Sequence, residues 1–317
     1  HHFYFDMASE TSLAVVKTAH RIHAPDGHSS DLVIFAPENP SSNAPVILIH
    51  PALGTPAGYY LKLAESLSKR NQWVVAIEEL RGNASSSWRA SRSKNWSYWH
   101  VAGQDIPSNV SKLRSLYPEG PFYLMGHSIG GIMMSLYTAK LSAEQSKDLD
   151  DIAGILIIAS GGLYHKTYPN PRIWWIGLLI VLMVYVFGYF PGKLMNFGGS
   201  AEAKGLMLDW ATEIRTGICQ PVGCPHNNIS DELKKLKKPV LLVSFDKDAF
   251  VPHESAARLA SFYPDQHVTH LKVDPNEHDE LKSLNKTALH FKWARGEMIL
   301  PIIENWIQTN LPPRIAA

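Results

Sequence analysis

Cysteine is scarce in this 317-residue chain, which has only Cys219 and Cys224. Two thiols cannot build the disulfide framework on which small secreted domains rest. With His226 as the sole nearby companion they also lack a fourth metal ligand, so no metal site is expected and both are read as free thiols. A surplus of either charge is missing as well. Thirty Lys and Arg against 29 Asp and Glu leave a net charge of +1. There is no broad positive field to hold nucleic acid, and the run Lys234-Lys235 with Lys237-Lys238 is read as a solvated helix end. No G-x-G-x-x-G or Walker pattern occurs, so no nucleotide cofactor is expected. Nor does a charged leader run into a short apolar segment, which makes a cytoplasmic location the expectation. His1 to Asp6, ahead of Met7, looks like the remnant of an expression tag and is set apart from fold reasoning. Arg314 to Ala317 carries no lipidation or peroxisomal signal.

What is present points to a folded protein with a large core. The chain is 45% apolar and 10% aromatic, which excludes a disordered polypeptide. Its length allows one large domain or two small ones. Short apolar runs alternate with helical spacing. Leu32–Phe35, Val46–Ile49, Val74–Ile77, Pro121–Met125, Ile155–Ala159, Val240–Val243 and His267–Val273 are expected strands. Tyr60–Arg70, Ile106–Tyr117, Gly130–Leu141 and Ile299–Ile307 are expected helices. Such alternation predicts an α/β fold with a mostly parallel sheet and helices on both faces.

One motif carries chemistry. Gly126-His127-Ser128-Ile129-Gly130 fits G-x-S-x-G and falls between an expected strand and an expected helix. A sharp strand-to-helix turn lifts the serine hydroxyl above the sheet, and Gly126 and Gly130 are small where strand and helix nearly touch. Ser128 is therefore the candidate nucleophile, and the Ile129 N–H, at the start of the helix, a candidate oxyanion donor. A serine needs a base to take its proton and an acid to orient that base, in the chain order Ser, acid, His for this arrangement. Asp246 and Asp248, just past the strand ending at Val243, are both candidate acids. After the last strand, His278 and His290 are both candidate bases.

These residues resemble the α/β-hydrolase superfamily, and the further matches run along most of the chain. The superfamily's acid loop commonly reads Asp-x-x-x-Pro, which Asp248 to Pro252 matches, and the resemblance selects Asp248. A Gly-His-Phe commonly precedes its terminal helix. Leu289-His290-Phe291 matches apart from the glycine and selects His290. The loop His50-Pro51-Ala52-Leu53-Gly54, running on to Gly58-Tyr59-Tyr60, is similar to the His-Gly-x-Gly loop of esterases and monoacylglycerol lipases. That similarity implies Ala52 as the second oxyanion donor, with Leu53 as the alternative. Ile77 to Gly82, followed by Ser85-Ser86, resembles the family's Asp-x-Arg-Gly-x-Gly-x-Ser turn, while Gly188 to Gly192 and Asp209-Trp210 resemble a sparsely characterised set of predicted α/β-hydrolases; all are read as structural.

Residues 161–225 break the alternation. Trp174 to Phe190 is uncharged and approaches the roughly 18 residues that suggest a membrane span. Ser128 precedes it, whereas Asp248 and His290 follow it. A single crossing would part the nucleophile from its base, so a working triad excludes a span. The superfamily inserts a cap at this place. The resulting expectation is a core of residues 7–160 and 226–317 with a cap of 161–225, whose Trp174, Trp175 and Tyr185 line a hydrophobic pocket. A buried core helix, or an apolar patch making peripheral contact with membrane, are the other readings. The expected function is cleavage of an ester or thioester of a hydrophobic, lipid-like small molecule by a serine hydrolase without cofactor. Alternatives are hydrolysis of a C–C bond or release of a polyketide-type product, and, in another class, a non-catalytic ligand-binding protein on a hydrolase fold. Oligomeric state is not legible in the sequence.

Overall fold

A computed structural model describes residues 14–226 and 229–313. The suspected tag remnant and the segment Arg314 to Ala317 lie outside the described residues. Among the described residues there are ten strands: β1 Val15–His23, β2 Ser29–Pro37, β3 Val46–His50, β4 Val74–Ile77, β5 Phe122–His127, β6 Ile152–Ile158, β7 Tyr189–Phe190, β8 Glu202–Ala203, β9 Val240–Phe245 and β10 Val268–Val273. Eight of them form one sheet in the order β1-β2-β4-β3-β5-β6-β9-β10. β1 and β2 are antiparallel to their neighbours, and everything from β4 onward is parallel. β7 and β8 pair separately as a two-stranded ribbon.

The uninterrupted apolar strands are explained by cover on both faces. Val46 and Leu48 of β3 point into one core, together with Leu124, Ile155 and Leu242. Ile47 and Ile49 point into the other, with Met125, Leu156 and Val243. Side chains alternate across a strand, so a strand flanked by two cores has no polar positions to show. Helices Ile106–Leu116 and Ile129–Ala143 cover the first face, and Leu61–Asn71 and Ile299–Thr309 the second.

β1 was not among the expected strands. It is a mostly exposed edge strand in which Lys17, His20, Arg21 and His23 interrupt the apolar pattern. Its pairing with β2 runs in unbroken register from Val15 opposite Pro37 to His23 opposite Ser29.

An insertion separates β6 from β9. Its two main helices, Ile173–Phe187 and Lys204–Thr216, pack on each other. Gly177 allows the close approach, because a Cβ there would sit 2.9 Å from Ile214 Cγ2. At the end of the insertion, the short helix Ile229–Leu233 returns to pack on Ile129–Ala143. No helix among the described residues is long and apolar enough to cross a membrane.

Candidate active site

The parallel strands deliver every candidate residue to one end of the sheet. Ser128 follows β5, Asp248 follows β9, His290 follows β10, and the His50–Gly54 loop leaves β3. Ligands of open parallel sheets collect at this carboxyl edge, where the loops diverge.

Ser128 occupies a backbone conformation that non-glycine residues avoid, with φ +55° and ψ −122°. The turn is tight enough to dictate its neighbours. A Cβ on Gly126 would fall 2.3 Å from the Gly130 carbonyl, and one on Gly130 would fall 2.4 Å from the His50 carbonyl oxygen. Both glycines are thus required by backbone contact. The Ile129 N–H, first in the helix Ile129–Ala143, has no preceding turn to donate to.

The structure brings Ser128, His290 and Asp248 into one hydrogen-bonded line. The Asp248 carboxylate can only accept, so the His290 Nδ1–H donates to its Oδ2 at 2.8 Å. Nε2 is then free to accept from the Ser128 hydroxyl, also at 2.8 Å. The other Asp248 oxygen accepts the N–H groups of Phe250 and Val251, at 2.8 and 3.2 Å. Asp248 and His290 are both buried, while Ser128 keeps partial exposure. His290 lies on the short helix Lys286–Lys292, whose N-cap Asn285 accepts the Ala288 N–H at 2.8 Å.

The alternatives are elsewhere. Asp246 is paired at the surface with Lys272 at 3.3 Å. His278 ends a short turn, Pro275–Glu277, and its carbonyl accepts the Leu281 N–H at 2.9 Å.

The oxyanion loop calls for a correction. The Ala52 N–H is not directed at Ser128; it donates to Tyr60 Oη at 2.9 Å. Tyr60 in turn donates to His127 Nδ1 at 2.7 Å, and the His127 Nε2–H donates to the His290 carbonyl at 2.7 Å. Each donor in this chain meets one acceptor, and the tautomer of His127 follows from the carbonyl at its end. Burial, with the nearby His290 imidazole, holds the His127 pKa well below the ordinary histidine range, so it stays neutral. Burial pushes the Tyr60 hydroxyl up, so it keeps its proton. The next N–H along the loop, that of Leu53, has no hydrogen-bond partner among the described residues, and Leu53 borders the same cavity as Ser128. Leu53, the alternative, is the donor the geometry leaves open.

That cavity has a volume of about 880 Å³ and reaches Ser128 and His290. Its walls are largely apolar: Ile132, Phe250 and Val251 from the core, Leu163, Ile173, Phe197 and Trp210 from the insertion. Here too the expectation needs correcting. Trp174, Trp175 and Tyr185 do not line it. Trp174 packs beneath the Arg215 guanidinium, while Trp175 and Tyr185 face solvent. The helix does contribute, through Ile173 and Ile176. Gly192 and Trp210, expected to be purely structural, also border the cavity. The insertion loop at Gly198-Gly199 presses on the oxyanion loop so closely that a Cβ on Gly54 would lie 2.2 Å from the Gly198 carbonyl carbon.

Arg81 is fully buried between Asp105 (2.5 Å) and Asp26 (2.6 Å), and the His28 ring reaches Asp105 at 3.0 Å. Cys219 and Cys224 are free thiols. Among the described residues no group of three His, Cys, Asp or Glu side chains is arranged to hold a metal ion.

Comparison with known proteins bears on the fold. A family model described as serine aminopeptidase S33, of the Hydrolase_4 group, matches residues 41–187. A soluble variant of monoglyceride lipase from Saccharomyces cerevisiae superposes with a TM-score of 0.66, at 15% identity, over 96% of this chain and 99% of that one. The chain has the α/β-hydrolase fold. Est1E from Butyrivibrio proteoclasticus, solved with ferulic acid, gives a TM-score of 0.59 at 15% identity over 92% and 99% of the two chains. A thermophilic esterase from Thermogutta terrifontis gives 0.58 at 16% identity over 93% and 100%. No curated protein matches the sequence.

Proposed function

We propose that this α/β-hydrolase is a serine hydrolase that cleaves the ester bond of a hydrophobic, lipid-like substrate through an acyl-enzyme. The supporting observation is the line from Ser128 Oγ through His290 to Asp248, opening on a largely apolar cavity. Ser128 Oγ attacks the carbonyl carbon while His290 Nε2 takes its proton, and Asp248 holds the imidazole and stabilises the cation that forms. The N–H groups of Leu53 and Ile129 receive the oxyanion. His290 then gives its proton to the departing alcohol. A water attacks the acyl-enzyme with His290 again as base, releasing the acid and restoring Ser128. The solved relatives named as esterases and as a monoglyceride lipase favour a carboxylic ester over a peptide for this chain as well. Residues of the insertion, acting as a cap, form the acyl-side wall.

The test is turnover of p-nitrophenyl esters of increasing chain length beside a β-diketone. Hydrolysis that improves with chain length and spares the diketone supports the reading. Diketone cleavage without ester cleavage would turn it to the C–C hydrolase, and tight ligand binding without turnover to the non-catalytic protein.

A further inference from the structure

The helix Ile173–Phe187 of the insertion has two unlike apolar faces. Gly177, Ile180 and Val184 are buried against the protein. Trp175, Leu178, Leu179, Leu182, Tyr185 and Val186 repeat at three- and four-residue spacing on the other side and are exposed, with Trp175 64%, Leu182 59% and Tyr185 63% open to solvent. A monomer in water does not ordinarily carry so large a contiguous apolar stripe without a use for it.

Three further observations say what the stripe meets. The first is charge: between Asp151 and Glu202 the chain has no acidic residue, but has the exposed cations Lys166, Arg172 and Lys193. Arg92, donating to the Val186 carbonyl at 2.8 Å, and Lys204, over the Tyr185 ring at 3.9 Å, place two more cations at the C-terminal end of the helix. The second is continuity with the cavity. Ile176 is 46% exposed and also lines the cavity. On another side of the cavity, exposed Leu194 and Met195 lie between its lining residues Lys193 and Asn196. Apolar surface therefore adjoins the cavity from two segments. The third is length. Fifteen helical residues extend about 22 Å, short of the roughly 30 Å hydrocarbon core of a bilayer.

We propose that this face docks flat on a lipid bilayer, with the Trp175–Val186 stripe in the interfacial region, the cations against anionic headgroups, and the cavity opening toward the lipid. A second copy of the chain fits the face less well, since a two-fold contact would set these cations against themselves and cover the Ile176 wall of the cavity. Tryptophan and tyrosine suit the interface, where a ring is half apolar and half wet. The docking explains how a lipid-like ester would reach Ser128, but it requires no turnover, so it fails or stands separately from the proposed hydrolysis.

The test is flotation with vesicles of phosphatidylcholine, with and without about one fifth phosphatidylglycerol, using the Ser128→Ala protein so that no product accumulates. The protein is expected to float with the vesicles, more strongly when they are anionic and less so as salt rises. Trp175→Ser combined with Leu182→Ser, both at exposed positions, should lower the bound fraction about tenfold at an unchanged melting temperature. Arg172→Gln should weaken binding about fivefold on anionic vesicles alone. Protein that stays below both vesicle types, or a double variant that floats like the parent, overturns the proposal. A dimer in solution that the double variant dissociates, with no flotation, would assign the face to a second copy instead.

Discussion

The strand-end site and the insertion above it handle buried polar groups in opposite ways. Near the sheet, the buried Arg81 cation has two carboxylate partners of fixed geometry. Arg81 is clamped between Asp105 and Asp26, and although burial alone would raise Asp26, the guanidinium holds its pKa below the ordinary value. In the insertion, Glu202, Asp209 and Glu213 are held by backbone N–H groups: Gly199 for the first, Tyr98 and Val222 for the second, Leu163 for the third. Loss of solvent pushes these carboxyls up to about 7, about 7 and about 8 respectively. The lower region is an electrostatically closed frame that can hold reacting atoms still. The upper one is built mainly on apolar contact and near-neutral acids, and it leaves one helix face uncovered. In the proposed function, chemistry belongs to the first region and substrate access to the second.

Substitutions in the two regions should therefore fail differently. In the frame, Asp248→Asn leaves the shape intact but denies His290 Nδ1–H its anionic acceptor. Ester turnover should fall about 10³- to 10⁴-fold in kcat with circular dichroism unchanged. A loss under tenfold would break the distinction, since Asp248 would then be a packing residue. Tyr60→Phe should have an intermediate effect. It strands the Ala52 N–H and His127 Nδ1 in a buried site, costing about 2 kcal/mol of stability. Because the same hydroxyl ties the oxyanion loop to the base, kcat should drop about tenfold with KM little altered, measured beside a urea melt.

The smallest effect is expected above. Between about pH 4.5 and 8 the unfolded chain has Glu213 ionised while the folded chain retains the proton. The folded state binds more protons over that window, so the stability contributed by this group falls as pH rises and is level above about 8. Scanning Tm from about pH 5 to about pH 8.5, the parent should lose about 3 °C more than Glu213→Gln. Equal slopes for the two proteins would remove the contrast between the regions.

How much of this was legible in the sequence also divides along the same line. The frame announces itself because its requirements are covalent and local. G-x-S-x-G needs small residues at Gly126 and Gly130; chain order then admits Asp246 or Asp248 after β9 and His278 or His290 later in the chain, and the resemblance to the α/β-hydrolases chose Asp248 and His290. The edge strand β1 hid because only one of its faces is partly covered, and its exposed Lys, His and Arg positions blur the alternation. The choice between Ala52 and Leu53 was hidden for another reason. Oxyanion donors are backbone N–H groups without a side-chain signature, and only the position of the Tyr60 hydroxyl tells them apart. In the insertion the failure was of periodicity. From Ile173 to Phe187 every side is apolar, so no pattern marks Gly177, Ile180 and Val184 as buried, Ile173 and Ile176 as bordering the cavity, and Trp175 and Tyr185 as outward. Cavity residues such as Phe197 and Trp210 lie where the fold, and not a motif, brings them.

The most direct test of the central claim is to label the protein with a fluorophosphonate and map the adduct by mass spectrometry. A stoichiometric adduct on Ser128, absent from Ser128→Ala and strongly slowed in His290→Ala, is the predicted result. Labelling that survives Ser128→Ala, or that proceeds unhindered without His290, would contradict it.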